Sequence, residues 1–233
     1  MRVLAVGAHP DDLEILCSGT LARFAQAGHY VAMAHACRGD KGHGEIPYAE
    51  LSGIRDREAE AAAGVVGAEA LALGFLDCEL YPDNAAARPF VDLIRRTRPD
   101  LIITHHPDDY HSDHRAVSKL VVDASFSAGL KYYVTELPAV EVTPSVYFMD
   151  TLAGIDFAPE EYVDITSTIE LKLAAMRSHV SQVTWIRDHH ASDIEDLIRT
   201  VAHFRGLQCG VAYAEGFQRL RAWGRLGTQR ELP

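Results

Sequence analysis

Several absences narrow the reading before any motif is considered. The 233-residue chain has 22 Lys and Arg against 33 Asp and Glu, a net charge of −11. It has no basic run, and so lacks the clustered cations with which a protein grips nucleic acid or an anionic membrane. Its four cysteines, Cys17, Cys37, Cys78 and Cys209, are scattered without a C-x-x-C pair. A chain of this size needs no disulfide stapling, so they read as reduced core or near-core thiols. No apolar run approaches bilayer-spanning length, and Met1 to Gly7 is too short an apolar stretch for a signal peptide; the expected compartment is the cytoplasm. The turn after the first apolar run carries neither G-x-G-x-x-G nor P-loop glycines, so a backbone cradle for a diphosphate is missing. There is no internal repeat, low-complexity tract or heptad array, which removes solenoid and coiled-coil architectures.

What is present is an alternation of short apolar runs with longer stretches of helical period. Strands are expected over 2–7, 30–36, 69–73 and 100–104, and helices over 13–27, 52–66 and 86–97, with a fourth starting near His114. In that helix Val117, Leu120, Val121 and Ala124 make one inward stripe, which sets His114 in the first turn on the sheet-facing side. Residues 130–150 contain Pro138 and Pro144 and then the strand-like 145–149; helices resume over 166–181 and 193–208. With 48% hydrophobic residues, this pattern predicts an α/β fold: a single Rossmann-like domain over 1–233 with a mostly parallel sheet and helices on both faces. The segment Arg38 to Leu51, with Gly39, Gly42, Gly44 and Pro47, reads as a loop overhanging the sheet rim.

Chemistry concentrates at two strand ends. Ala8-His9-Pro10-Asp11-Asp12 follows the first apolar run, and His105-His106-Pro107-Asp108-Asp109-Tyr110-His111-Ser112-Asp113-His114 follows the fourth. Ligands of an open parallel sheet bind beyond the carboxyl ends of the strands, so the two clusters converge if strands 1 and 4 are neighbours. His9 and Asp12, three apart, can aim at one point as the chain enters a helix, and His114 can supply a third ligand. Two imidazoles and a carboxylate with an open position suit a catalytic zinc, whose water loses its proton near pH ~7; Fe²⁺ or Co²⁺ can replace zinc in such a site. Asp11 would then be free as general base, and His111 would stabilise an oxyanion or protonate the leaving amine, kept charged by Asp113. The bland alternative, an Asp-capped turn, fits the first cluster alone about as well, but becomes improbable with the second. His105 and His106 point to opposite faces, so at most one faces the metal and both read as packing or supporting groups. His43 reads as solvated, and His189-His190 as surface at least as readily as site.

These residues resemble the PIG-L/LmbE-like zinc-dependent N-acetylglucosaminyl deacetylases. The resemblance lies in Ala8-His9-Pro10-Asp11-Asp12-Leu13-Glu14, the His111-Ser112-Asp113-His114 motif, Arg55 and Glu58, Asp77, and the ending Tyr213-Ala214-Glu215-Gly216-Phe217. It implies zinc ligands at His9, Asp12 and His114, a general base at Asp11, an acid or oxyanion residue at His111 oriented by Asp113, and sugar-hydroxyl contacts at Arg55 and Asp77. For Arg55 the plainer reading is an i, i+3 ion pair with Glu58. Ser18-Gly19 stands where many members have two glycines, and Asp77-Cys78-Glu79 where they often have Asp-Gly. The implied activity is release of acetate from N-acetylglucosamine in a small amino-sugar conjugate. N-acetylglucosaminyl malate is the narrower expectation, with N-acetylglucosaminyl inositol, chito-oligosaccharides and mycothiol-type conjugates as alternatives. The resemblance also implies a homo-oligomer, with Tyr132-Tyr133 or the C-terminal helix as the interface. A non-catalytic metal-carrying Rossmann-like module is the competing class; the spare carboxylate of Asp11 argues against it.

Overall fold

The computed structural model describes residues 1–189, 193–223, 225 and 231–233. In chain order these form β1 (Arg2–Gly7), α1 (Asp12–Leu16), α2 (Ser18–Gln26), β2 (Tyr30–Cys37), α3 (Tyr48–Val66), β3 (Glu69–Phe75), α4 (Asn84–Thr97), β4 (Leu101–Thr104) and α5 (Ser112–Ser127). Then come β5 (Ser145–Met149), a 3-10 turn (Leu152–Gly154), β6 (Glu161–Asp164), α6 (Ile169–Arg177), α7 (Val180–His189), α8 (Ile194–Cys209) and β7 (Ala214–Arg219).

The strands make one seven-stranded sheet in the order β3-β2-β1-β4-β5-β7-β6. β1 pairs in parallel with both β2 and β4, and β3 and β5 extend the parallel run on either side. The adjacency of strands 1 and 4 expected from the sequence is therefore present, and the order reverses between them. Side-chain alternation explains why β1 sits at the centre: Val3 and Ala5 enter one core layer, Leu4 and Val6 the other, none more than 1% exposed. β4 does the same, with Leu101 and Ile103 on one side and Ile102 on the opposite. Helices α1, α2, α3, α6 and α8 cover the first layer, and α4 and α5 the second. Helices lie on both faces, as read from the sequence.

Three regions differ from expectation, one of them the helix expected over 166–181, which is α6 to Arg177 and then α7 from Val180 on to His189. The helix expected over 13–27 is two helices, because Cys17 takes φ −145° and ends α1 before α2 begins. The tail adds two strands that the sequence reading did not identify, β7 antiparallel to β5 and β6 antiparallel to β7. β6 has only four residues, and β7 carries Glu215 and Gly216, so neither shows the apolar run that reveals a buried strand.

The break at Cys17 has a physical use. It exposes the amide N–H groups that start α2, and Glu215 of β7 accepts from two of them, Gly19 (3.0 Å) and Thr20 (2.8 Å). Lys172 of α6 donates to the same carboxylate, and both side chains are buried. A Cβ at position 19 would come within 3.0 Å of Glu215 Oε1 and 2.9 Å of Ile165 Cδ1, so only glycine lets the strand reach the helix end. This buried cluster ties the antiparallel tail to the first βα unit. Glu215→Ala would leave a buried ammonium and two amide donors unpaired, and an unfolding free energy lower by about 3–5 kcal/mol is expected from urea denaturation. A loss below about 1 kcal/mol would show that water or repacking replaces the carboxylate.

Candidate metal centre and active site

The reversal point between β1 and β4 carries the titratable groups. β1 ends at Gly7, and the turn Ala8 to Asp11 feeds α1; β4 ends at Thr104, and the loop to His111 feeds α5. Asp11 sits at φ 121°, a conformation that L residues avoid, so the turn is held against its own preference by what surrounds it. Asp12 locks the turn by accepting from the His9 amide (2.7 Å).

Asp12 is the hub. His9 Nδ1 lies 3.6 Å from its Oδ2 and His114 Nε2 3.4 Å from its Oδ1. Each imidazole is backed on its other nitrogen by a carboxylate: Asp113 Oδ2 at 2.9 Å from His9 Nε2, and Asp109 Oδ1 at 3.1 Å from His114 Nδ1. Carboxylate backing of this kind fixes an imidazole's tautomer and aims its free nitrogen at a metal. His105 is fully buried, stacks on His114 (ring centroids 3.9 Å) and stands 3.2 Å from Asp12 Oδ2, while its Nε2 accepts from the Ala8 amide. Side-chain donor atoms of Asp12, His105 and His114 lie within 4.8 Å of one another, as do those of His9, His111 and His114. Two sets of donors sharing His114, around a common carboxylate, fit a divalent cation.

The electrostatics point the same way. Burial opposes a charged His9, but the carboxylates of Asp113 and Asp12 outweigh it and raise the imidazole to about 10. Burial likewise opposes charge on His114, and Asp12 with Asp109 raises it to about 9. Burial would raise Asp12, yet the neighbouring imidazole of His114 above all holds it well below the usual carboxylate range. The concentrated negative field thus calls for positive charge. His105 is the exception: burial and the neighbouring His114 push it down to about 4, and it stays neutral.

Asp11 points away from this hub into the pocket, 2.9 Å from Arg55 Nη2. Its pKa is raised by burial, with Arg55 working against the rise. Arg55 is 3% exposed and donates to the carbonyls of Pro10 and Gly39 as well. It does not pair with Glu58, whose carboxylate accepts from the backbone and hydroxyl of Ser181 (2.7 Å each). Asp77 is buried too, and spends both carboxylate oxygens on backbone amides, Gly39 (2.8 Å) and Lys41 (3.0 Å). These two residues shape the loop after β2 into one wall of a cavity of about 230 Å³, lined by His9, Asp11, Lys41, Asp77, His111 and Gln182 among others.

The pairing expected of Asp113 differs. Its carboxylate bonds His9 and the Cys78 amide (2.8 Å), and its hydrogen bond to His111 is made by the backbone alone, whose N–H donates to His111 Nδ1 (3.2 Å). Burial lowers the His111 pKa, with His114 and His9 adding to the effect, so Asp113 does not keep it charged. The sequence spacing was correct for proximity but could not say which imidazole the carboxylate would choose.

Sequence reasoning missed Asp109, Lys41 and Gln182. Asp109 stood inside the second cluster and could have been found by asking what backs each imidazole; nothing local marks Lys41 or Gln182. His106 lies on the far face, 3.2 Å from Gln218 Oε1 and edge-on to Phe148 and Phe157. His43 is half-buried, lies tilted against Trp185 and accepts from the Glu45 and Ile46 amides, so it is not simply solvated, whereas His189 stacks on Trp185 but is exposed, a surface position. His190 lies outside the described residues. Among the described residues no helix is long and apolar enough to cross a membrane.

Comparison with known proteins agrees with this geometry. The diacetylchitobiose deacetylase of Thermococcus kodakarensis is 29% identical over 93% of this chain and 82% of its own. The solved N,N′-diacetylchitobiose deacetylase of Pyrococcus horikoshii superposes with a TM-score of 0.82 at 27% identity, over 94% of this chain and 83% of that one. The 4-carboxy-2-hydroxymuconate hydratase of Pseudomonas putida superposes with a TM-score of 0.83 at 25% identity, over 99% and 100%. The model of the PIG-L family, GlcNAc-PI de-N-acetylase, matches residues 4–125, a span that holds both strand-end clusters, and the chain belongs to that family.

Proposed function

We propose that the protein is a cytoplasmic zinc-dependent amidohydrolase that removes acetate from the N-acetylglucosamine unit of a small conjugate. One observation carries this reading: two carboxylate-backed imidazoles face Asp12, while a second carboxylate, Asp11, turns from them into the pocket. His9, Asp12 and His114 would hold the ion, which when bound supplies Lewis acidity and a water of lowered pKa.

The chain's own groups supply the rest. Asp11, lifted by burial, takes the proton of the attacking water as its oxygen bonds to the acetyl carbon. Arg55 keeps the carboxylate oriented. His111 accepts the Asp113 amide on Nδ1, so its neutral ring carries the proton on Nε2 and can donate to the developing oxyanion. When the C–N bond breaks, Asp11 returns its proton to the leaving amine, giving free acetate and the amino sugar. Asp113 acts through His9, holding the ring whose other nitrogen faces Asp12. Asp77 and Arg55 stand behind the loop wall where the sugar hydroxyls would lie.

The hydratase likeness makes a second reading concrete, and the pocket's cations argue against it. A polycarboxylate substrate needs cations free to grip it, but Arg55 is committed to Asp11. Lys41 Nζ bonds Glu79 Oε1 (3.0 Å) and the Asp77 carbonyl. A wall whose charges are already neutralised suits a neutral sugar better. The malate, inositol and chitobiose conjugates of N-acetylglucosamine separate within the class by acetate released; absence of acetate from all three, with hydration of an unsaturated polycarboxylate instead, would reverse the assignment.

Metal content tests the ligands. After dialysis against a weak chelator the wild-type protein should keep one equivalent of zinc, and His9→Ala and His114→Ala should lose it; retention in both would remove these residues from the ligand set. Asp11→Asn should keep metal and fold while kcat/KM falls on the order of 10²–10⁴-fold, and a loss under about tenfold would mean the water needs no base here. His111→Ala should cost on the order of 10²–10³-fold in kcat with the metal retained, the cost of one oxyanion donor. The homo-oligomer belongs to the same proposal: Phe126, Tyr132 and Val134 are exposed at 60%, 90% and 74%, and sedimentation of Tyr132→Glu at the wild-type rate would exclude that surface as its interface.

A further inference from the structure

A third group of metal-capable side chains lies at the pocket's edge and joins two residues of the chemistry above, His111 and Asp113, to a thiol that this chemistry does not use, Cys78. A sulfur of Cys78, a ring nitrogen of His111 and a carboxylate oxygen of Asp113 lie within 4.8 Å of one another. We propose that Cys78, His111 and Asp113 form a second, inhibitory binding site for a thiophilic divalent cation such as zinc or cadmium. The occupancy of this site does not rest on the deacetylase reading; its inhibitory effect does.

The donor set fits the ion. Thiolate, imidazole and carboxylate together select borderline-soft cations over magnesium or calcium. Cys78 is exposed, so its thiol can rotate in to close the remaining distance. Asp113 is 1% exposed, and its Oδ1 has no hydrogen-bond partner, an acceptor left buried without one. Its Oδ2 already accepts from His9 Nε2 and the Cys78 amide. An ion on Oδ1 would leave the His9 link intact, so the second ion need not displace the first. The hydrogen bond that the Cys78 amide donates to Asp113 Oδ2 also holds thiol and carboxylate in register. Cys78 sits at φ 61°, a backbone conformation where glycine is at ease and a side chain is not, yet the chain places a thiol there.

Cys37 is the other thiol nearby, grouped with His9 and Asp77. It is buried, and both Asp77 oxygens are occupied by backbone amides, which favours Cys78. On binding, the Cys78 thiol releases its proton to solvent as the sulfur–metal bond forms, and His111 gives up the hydrogen bond it accepts from the Asp113 amide as its ring proton passes through solvent from Nε2 to Nδ1, freeing the Nε2 lone pair, with no change of oxidation state. His111 then gives its pocket-facing nitrogen to the ion and no longer donates to an oxyanion.

Cadmium titration of the full-length protein preloaded with one equivalent of zinc tests the site without substrate. The wild type should take up a further equivalent, accompanied by a thiolate-to-cadmium charge-transfer band. Cys78→Gly, which relieves the backbone, should lose both, while Cys37→Ala should keep both. A band that persists in Cys78→Gly, or that disappears in Cys37→Ala instead, overturns the assignment. In turnover assays excess zinc should suppress the wild type on the order of 10²-fold, the loss of one oxyanion donor, and should not suppress Cys78→Gly. Equal suppression of both proteins would overturn the inhibitory role. A Cys78-dependent band in a protein that releases no acetate with one equivalent of zinc would support the metal site and sink the deacetylase reading separately.

Discussion

Asp12 is a buried carboxylate with imidazoles on three sides, and much of the surrounding structure exists to make that arrangement tolerable. An isolated buried carboxylate would be neutralised by protonation. Here His9, His105 and His114 crowd it, and the two imidazoles that take charge are themselves backed by Asp113 and Asp109. The alternation of acid and base extends from β1 through α1 to the start of α5, so the centre is balanced only when both strand ends are present. That requirement explains the place of the site in the sheet. Only at the reversal of strand order do two adjacent parallel strands send their following helices to opposite faces and leave a crevice between the turns. β1 and β4 meet that condition.

The same principle governs the pocket wall. Arg55 and Asp77 are buried charges that face the crevice, yet each is satisfied by the chain: Arg55 by Asp11 and two carbonyls, Asp77 by two amides of the loop after β2. Their effect is to fix the loop rather than to offer free charge. This loop has no regular hydrogen-bond ladder of its own, so side chains anchored on α3 and beyond β3 do the work that a strand pairing would do elsewhere. The wall beside the strongly charged cluster is locally neutral, and under the proposed function this would separate recognition of a sugar from the chemistry on its amide.

The sequence made the candidate metal cluster legible because its spacing is local. A histidine and an aspartate three apart at a strand end, and a second cluster at another strand end, need only one tertiary assumption, that the strands are adjacent. The parallel part of the sheet was legible for a similar reason, since each strand is a continuous apolar run. The tail was not: β6 is short, and β7 carries Glu215 inward to serve the α2 amides, which removes the hydrophobic pattern that would have announced a strand. The choice of Asp113 between His9 and His111 was likewise invisible, because one partner lies 104 positions away and the other two. Spacing identifies who can meet; packing decides who does.

Gln182 shows how a residue without any local signature reaches the pocket. Its helix α7 starts beside two acids from other elements: Glu58 of α3 accepts from the Ser181 amide and hydroxyl, and Glu14 of α1 lies 3.2 Å from His179 Nε2. Glu58 satisfies an amide that a helix N-terminus would otherwise leave unpaired, where negative charge is favoured. Burial would raise Glu14, but His179 draws it below its ordinary value, so a buried ionic contact links α7 to the turn that carries Asp11 and Asp12. Leu13 and Glu14 belong to the same short helix that begins with Asp12. A shift of α7 is therefore felt at the metal-facing turn through Glu14, and at the pocket wall through Gln182. The wall and the turn that carries Asp11 are thus tied through shared contacts, which under the proposed function would hold a substrate amide in place against Asp11.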